Sequence, residues 1–188
     1  KFNIIDYITM RVDLTFAQSP FNCVDALILS QICYNNVEGL VSSGFSSKIS
    51  LEELAAAFDK AQDKEKRCNM GAMINTLTPV LLEKAAKSRR FGQVKVCAFI
   101  NRIDDVKIEQ FSALTYEIEK NSYVVAFRGT DDTIVGWYED FNLGYMTEIP
   151  AQAHAADYIR QAMQELKGTF IVTGHSKGGN LSVKAAMS

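Results

Sequence analysis

A glycine-flanked serine is the residue whose setting most strongly indicates chemistry. Residues 174–179 read GHSKGG, which places Ser176 in a G-x-S-x-G pattern between an apolar run at 169–173 and a helix-forming segment. In a nucleophile elbow the serine lies on a strained strand-to-helix turn, and glycines two residues before and after it leave room for neighbouring backbone. Gly174 and Gly178 occupy those positions. The pattern therefore predicts a serine hydroxyl that is exposed for acyl transfer.

The same turn predicts half of an oxyanion hole. The helix that begins after Ser176 directs its first amides and its positive dipole end towards the serine, so the Lys177 amide is placed to donate to a developing oxyanion. A glycine-rich turn without chemistry is the alternative interpretation. A phosphate-binding loop is disfavoured, because a Walker A pattern requires Ser or Thr after Gly-Lys and Lys177 is followed by Gly178.

A second segment, about fifty residues upstream, predicts the other half of the oxyanion hole. Residues 124–131 read VVAFRGTD, and Trp137 and Asp140 follow. An oxyanion hole of this kind takes its second amide from a loop after an earlier strand, and Gly129 and Thr130 follow such a strand. The Thr130 hydroxyl is a further candidate donor. The alternative is a polar turn in which Thr130 caps the segment that follows.

No acid or histidine completes a catalytic triad after the serine. Only twelve residues follow Ser176, and none is Asp, Glu or His. We expect His154, on a predicted helix, to be solvated or capping, and His175 to brace the elbow with its ring turned away from the serine hydroxyl. A serine without an adjacent base is a poor nucleophile, so these 188 residues alone are expected to be nearly inactive.

The first half of the chain, residues 1–90, is predicted to be mainly helical. A helix is expected near 23–36, and a capping-box pattern of Ser50 with Glu53 predicts the start of another. Apolar residues continue in helical register over 70–77, and Pro79 suits the first turn of a new helix.

The second half, residues 92–188, is predicted to form the sheet and the elbow. Val94, Val96, Ala98 and Ile100 alternate and are expected on one strand face, as are Leu114, Tyr116 and Ile118 of the next strand. A turn at 120–122 leads to a buried strand at 123–127. A helix at 155–166, a strand at 169–173 buried on both faces, and a helix at 178–187 complete an α/β layer pattern.

Composition excludes several classes of function. With 188 residues, 47% of them apolar, the chain is expected to form one domain or part of one, and a net charge of −2 argues against nucleic acid as a partner. No apolar run is long enough to span a membrane and no signal-peptide pattern begins the chain, so a cytoplasmic location is expected. Four cysteines without a Cys-x-x-Cys pair predict buried free thiols, and we expect neither a metal site nor a cofactor.

The paired motifs resemble those of the bacterial DUF2974 (Mbeg1-like) family, which is related to the class 3 lipases. The FRGT segment with Trp137 and Asp140 and the GHSxGG elbow are similar to that family's signatures, and residues 19–34 resemble its N-terminal region. The resemblance implies an α/β-hydrolase-type mixed, mainly parallel sheet flanked by helices. It also implies Ser176 as nucleophile, with Thr130 and the Lys177 amide as oxyanion hole.

Supporting roles are expected for the residues around these three. Gly174, His175, Gly178 and Gly129 would shape the elbow, and Arg128 with Asp140 would form an ion pair that braces the site. Lys177 replaces the leucine usual in class 3 lipases and is similar to the DUF2974 form. It is expected to make the approach to the serine more polar, which argues against a purely lipid substrate.

These observations predict a serine hydrolase of a small acyl or lipid-like ester or thioester. We expect residues 1–188 to be the N-terminal part of a single α/β-hydrolase domain, because the family's triad acid and histidine follow the serine. The remaining C-terminal part of that domain, or self-association, is expected to cover the apolar edge of the 169–173 strand. The alternative is a hydrolase-like binding or scaffold protein without turnover.

Overall fold

The computed structural model describes residues 3–68, 78–104, 106, 109–130, 134–142 and 144–188. Helices dominate the described part of the first half, and three consecutive strands, two helices, a strand and a helix follow after residue 94. The elements, in chain order, are α1 (Ile4–Arg11), α2 (Cys23–Ile32), β1 (Ile49–Ser50), α3 (Leu51–Lys60), α4 (Lys64–Cys68), α5 (Thr78–Ala86), β2 (Lys95–Asp104), β3 (Glu109–Glu119), β4 (Ser122–Phe127), α6 (Ile134–Asn142), α7 (Pro150–Glu165), β5 (Thr169–Gly174) and α8 (Lys177–Ala186).

The described strands form one mixed sheet in the order β1-β2-β3-β4-β5. Three neighbouring pairs are antiparallel, and only β4 and β5 pair in parallel. The mixed α/β class is as expected, but the mainly parallel arrangement is not seen among these strands. For the pairs β2–β3 and β3–β4 the reason is the shortness of the connections. Only two residues, 120–121, separate β3 from β4, and so short a turn joins antiparallel strands, whereas α6 and α7 span the crossover from β4 to β5.

A local signal correctly predicted where α3 begins. Ser50 Oγ accepts from the Glu53 amide at 3.1 Å, and Glu53 Oε2 accepts from the Ser50 amide at 2.6 Å, so the capping box of α3 is confirmed. The described part of α5 starts at Thr78 and includes Pro79, directly after residues that the structure does not describe. The predicted helical register over 70–77 lies outside the described residues. Helix α2 ends at Ile32, four residues before the predicted end.

Strand β2 contains a bulge that the alternating pattern did not predict. Its register with β3 shifts between Cys97 and Ile100, and Ala98 has a positive φ of 55°. The Ala98 amide donates to the Gly44 carbonyl at 3.2 Å, so a loop of the first half holds the bulge. The prediction that one face carries all four alternating residues is therefore wrong, since Val96 packs in one core and Ala98 in the other.

Helices cover both faces of the sheet. On one face Leu114, Tyr116 and Ile118 pack together as predicted, and the Tyr116 hydroxyl donates to the Leu29 carbonyl of α2 at 3.0 Å. On the other face Tyr158 of α7 donates its hydroxyl to the Ala98 carbonyl at 2.7 Å. Two hydrophobic cores therefore fix the central strands from both sides.

Strand β5 lies at one edge of the sheet. It pairs with β4 and with no other strand among the described residues, and Ile171 is 39% exposed. The predicted burial of this strand on both faces is therefore wrong for the described part of the chain, and its apolar edge is open there.

The cysteines do not share one environment. All four are free thiols, and Cys33 and Cys97 are buried as predicted, whereas Cys68 is partly buried and Cys23 is exposed. Among the helices that the structure describes, none combines the length and the apolar character needed to cross a membrane.

Candidate active site

The parallel register of β4 and β5 brings the two sequence motifs together. Phe127, the last residue of β4, pairs with Gly174, the last residue of β5. Because the carboxyl ends of parallel strands meet at the same edge of the sheet, the loop after Phe127 begins beside the turn that carries Ser176. A cleft at this edge is where open α/β sheets bind their ligands.

Ser176 lies in a strained turn between β5 and α8. Its backbone has φ 57° and ψ −126°, a conformation that non-glycine residues rarely adopt, and the residue is exposed to solvent. The turn is closed by two hydrogen bonds, from the Gly178 amide to the His175 carbonyl at 3.0 Å and from the Gly179 amide to the Ser176 carbonyl at 2.9 Å. These features place the serine side chain at the surface of a rigid turn.

The glycines on either side of Ser176 are required by close backbone contacts. A Cβ on Gly174 would overlap the backbone of Gly178, and a Cβ on Gly178 would overlap the carbonyl oxygen of Phe127 in β4. No side chain other than hydrogen fits at either position without moving backbone atoms. The G-x-S-x-G spacing therefore reflects the packing of α8 against both parallel strands.

The predicted oxyanion loop packs directly against the serine. A Cβ built on Gly129 would lie 3.2 Å from the Ser176 Cβ and would overlap the Tyr34 hydroxyl. The Thr130 backbone, one residue further along, therefore lies close to the turn. The Lys177 amide is at the first position of α8. The structure thus brings Ser176, Thr130 and Lys177 together at one edge of the sheet.

The Thr130 hydroxyl is used for a different contact from the one expected. It donates to Asp140 Oδ2 at 2.5 Å, which ties the loop to α6. A hydroxyl carries a single hydrogen, so in this arrangement the Thr130 hydroxyl cannot also donate to an oxyanion. Asp140 thus holds the loop through Thr130. The expected ion pair between Arg128, which is buried, and Asp140 stays a prediction.

Tyr34, two residues after the end of α2, supports the elbow, and the sequence did not single it out as a site residue. Its hydroxyl lies 3.2 Å from His175 Nδ1, and the two rings meet edge to face. Burial raises the pKa of Tyr34 to about 12, so the group stays a neutral hydroxyl. This contact directs the Nδ1 side of the His175 ring towards α2. In the sequence, Tyr34 stood near the end of a predicted helix and at the end of the 19–34 segment that resembles the family's N-terminal region.

The Lys177 side chain does not line the approach to the serine. Lys177 is buried, and its Nζ donates to the Gln110 carbonyl at 3.0 Å and to Gln110 Oε1 at 2.8 Å. The expectation of a more polar entrance is therefore wrong. A buried ammonium must be compensated by acceptors, and Gln110 at the start of β3 provides two. Gln110, which the sequence did not single out, belongs to the site.

His154 lies on the face of α7 that packs towards β3. Its Nε2 is 3.0 Å from Glu109 Oε1, its Nδ1 is 3.5 Å from an Arg102 nitrogen, and its ring lies against Phe111. The expectation of a solvated or capping histidine is therefore wrong. These contacts make His154 part of a polar cluster between α7 and the sheet.

The fold and the serine turn together define a structural class, a mixed α/β sheet with an elbow-like turn at the end of a parallel strand. A mixed sheet with helices on both faces carries, at the end of a parallel strand, a positive-φ serine that leads into a helix, which is the geometry of a nucleophile elbow. The chain belongs to the Mbeg1-like family, whose sequence model matches residues 85–188, more than half of its length. The match confirms the family resemblance of the two motifs. No match to the chain is found among curated proteins or among solved structures.

Proposed function

We propose that this protein is a serine hydrolase that cleaves an ester or thioester of a small acyl or lipid-like substrate through an acyl-enzyme on Ser176. The observation that carries the proposal is the strained backbone of Ser176 at the strand-to-helix turn, with the Gly129 loop packed against it. Membership of the Mbeg1-like family, which is lipase-like, supports a hydrolase in coarse terms.

In the proposed reaction Ser176 Oγ attacks the carbonyl carbon of the substrate while a base takes the hydroxyl proton. The carbonyl oxygen becomes an oxyanion that accepts hydrogen bonds from the Thr130 and Lys177 amides. Collapse of this tetrahedral species expels the alcohol or thiol, which receives the proton, and leaves an acyl group on Ser176. Water then attacks the acyl-enzyme by the same route and releases the carboxylic acid.

The base and the acid of the proposed triad come from other polypeptide. His175 Nδ1 contacts Tyr34 and His154 contacts Glu109, so a ring nitrogen of each described histidine already has another partner. We place the missing groups on the remaining part of the hydrolase domain or on a second copy of the chain. The same polypeptide would pair with the open edge of β5, which lies directly beside the serine turn.

A second candidate function is a hydrolase-like binding or scaffold protein that retains the elbow without turnover. The engagement of both histidines by Tyr34 and Glu109 favours it, since a serine without a base reacts slowly. The two candidates share a fold and differ only in whether Ser176 is activated.

A fluorophosphonate probe on the intact protein tests the proposal. The wild type is expected to be labelled and Ser176→Ala is not, and Ser182→Ala is the matched control, because Ser182 lies on α8 with its hydroxyl bonded to the Gly179 carbonyl. Equal labelling of the wild type and Ser176→Ala would exclude Ser176 as the nucleophile. Absence of ester and thioester turnover in the wild type would favour the binding protein.

A further inference from the structure

A buried chain of hydrogen bonds links the residue after Ser176 to the predicted oxyanion loop. Lys177 Nζ donates to Gln110 Oε1 at 2.8 Å, and Gln110 Nε2 lies 3.5 Å from the carbonyl oxygen of Gly129, towards which it donates. Gln110 is 1% exposed and Lys177 is 4% exposed. The chain therefore runs through the protein interior, and neither of these side chains takes part in the proposed reaction.

The lysine fixes which way the Gln110 amide points. An ammonium group can only donate, so it selects the oxygen end of the side-chain amide. The nitrogen end of the same planar group is then turned away from Lys177 and towards Gly129. Without the ammonium, the oxygen and nitrogen ends of Gln110 would exchange more freely, and the contact to Gly129 would lose its donor in the exchanged orientation.

The Gly129 carbonyl and the Thr130 amide belong to one peptide group. That group is planar and its C=O and N–H bonds point in opposite directions. A donor that holds the Gly129 carbonyl oxygen therefore sets the direction of the Thr130 N–H. Because Gly129 packs against Ser176, the orientation of this one peptide decides whether the Thr130 amide faces the serine turn.

We propose that Gln110 and the Lys177 side chain are positioning residues that aim the Thr130 amide into the oxyanion hole, an inference that rests on the proposed function. Lys177 then acts twice. Its backbone amide is one oxyanion donor, and its ammonium group, through Gln110, orients the other. Lys177, which stands where class 3 lipases usually have a leucine, thereby has a role in the mechanism.

The test uses Gln110→Glu and Lys177→Met in the intact protein. The carboxylate introduced by Gln110→Glu still accepts from Lys177 but has no hydrogen for Gly129, and Lys177→Met keeps an unbranched side chain of nearly the same length without the ammonium. Loss of one oxyanion donor lowers kcat by about 10²-fold or more, so a fall of roughly 10²-fold on a p-nitrophenyl acyl ester is expected for Gln110→Glu. KM stays unchanged, because the contact is made only in the transition state.

Thr115→Val is the matched control. Thr115 lies on the same strand, and its hydroxyl shares a buried hydrogen bond of 2.7 Å with Tyr158 on the face away from α2. This variant also loses one buried hydrogen bond of β3, and valine has nearly the same shape as threonine. It is expected to lower the thermal midpoint of unfolding while kcat stays at the wild-type value.

The outcomes separate this inference from the proposed function. Unchanged kcat in both Gln110→Glu and Lys177→Met, a rise in KM without a fall in kcat, or an equal fall in Thr115→Val would overturn the positioning role. Failure of the probe to label wild-type Ser176 would instead contradict the proposed function. A crystal structure of Gln110→Glu provides a readout without activity. A rotated Gly129–Thr130 peptide supports the inference, and an unchanged one contradicts it.

Discussion

Gly129 lies where three segments of the chain meet. A Cβ at this position would overlap the Tyr34 hydroxyl of the α2 region and the backbone carbonyl of His175, and it would lie 3.2 Å from the Ser176 Cβ. The backbone atoms among these cannot move without disturbing the serine turn. Because Gly129 has no Cβ, the predicted oxyanion loop can pack closely against the serine turn.

Gly129→Ala is expected to lower the free energy of unfolding by about 1–3 kcal/mol and to slow fluorophosphonate labelling. Gly44→Ala is the control, because its added Cβ would have only an ordinary contact of 3.7 Å to Ser42 Oγ. Both substitutions restrict the unfolded chain in the same way. The difference between the unfolding free energies of the two variants therefore reports an effect on the folded state. Urea unfolding measures it, and equal stability of the two variants would show that the loop tolerates the extra carbon.

Tyr34→Phe is expected to lower the free energy of unfolding by about 1 kcal/mol near neutral pH, since the contacts of the hydroxyl with His175 Nδ1 and with the Gly129 backbone are lost. Burial raises the pKa of Tyr34 from 10.0 to about 12 in the folded protein. In wild type the unfolded chain therefore ionises before the folded one, and this part of its stability is present below pH 10 and is lost as the pH rises towards 12. The variant has no such group. The stability gap between the two proteins should narrow above pH 10, and a gap independent of pH would argue against a buried hydroxyl.

The local turn at Ser176 could be predicted from six consecutive residues, because the strand, the glycines and the helix that shape it are neighbours in the chain. The contacts of Tyr34 and Gln110 could not. Tyr34 is separated from His175 by 141 positions, and Gln110 is separated from Lys177 by 67. Neither residue has a local signature, because each acts through a single hydrogen-bonding group that the sheet brings into place.

At the level of elements, helix α2 is held by an ion pair that is completely buried. Arg90, after α5, donates to both carboxylate oxygens of Asp25, at 2.8 and 2.5 Å, and both side chains are 0% exposed. Arg90 also donates to carbonyl oxygens between Leu14 and Pro20. Because α2 leads directly into Tyr34, this pair positions the support of the candidate site from a distance.

Arg90→Met is expected to cost about 3–5 kcal/mol of unfolding free energy, because it leaves the Asp25 carboxylate buried without its cation. Lys48→Met is the control, since the Lys48–Glu117 pair is 2.8 Å long but both side chains retain about a fifth of their exposure. That change should cost less than about 1 kcal/mol. Chemical denaturation of both variants checks the difference, and similar losses would mean that burial does not control the strength of these pairs.

Element boundaries set by local chemistry could be predicted, and those set by distant pairing could not. The cap of α3 depends on Ser50 and Glu53, three residues apart, and it was found in the sequence. The bulge in β2 depends on amides at Ala98 and Phe99 that donate to the carbonyls of Gly44 and Ser42. Alternation of apolar residues carries no information about such a loop, so the pattern assigned the bulged strand a single face.

At the level of the whole molecule, the strand pairing in the sheet changes from antiparallel to parallel at β4. Strands β2, β3 and β4 form an antiparallel meander through short connections, and the crossover through α6 and α7 leads to the parallel β5. The sequence indicated the β3–β4 hairpin and the helical crossover to β5. How many strand pairs are parallel and how many antiparallel depends on the strand order, which no local pattern encodes. The candidate site lies at the single parallel pair, where both strand ends point the same way.

The charges of the chain are unevenly distributed along its sequence. Residues 101–158, which include Thr130 and Asp140, contain 11 acidic and 4 basic side chains, a net charge of −7, although the whole chain has only −2. Such a field acts over about one Debye length, roughly 8 Å at physiological ionic strength. It should attract cationic substrates to the site and repel anionic ones.

If the proposed hydrolase activity holds, kcat/KM should be higher for a choline ester than for the uncharged 3,3-dimethylbutyl ester of the same acid, which has nearly the same shape. The preference should fall towards one as sodium chloride is raised, because salt screens the acidic residues of 101–158. The uncharged ester is the internal control and should respond little to salt. Equal rates for the two esters at low salt, or a preference that survives at high salt, would show that the acidic field does not act on the substrate.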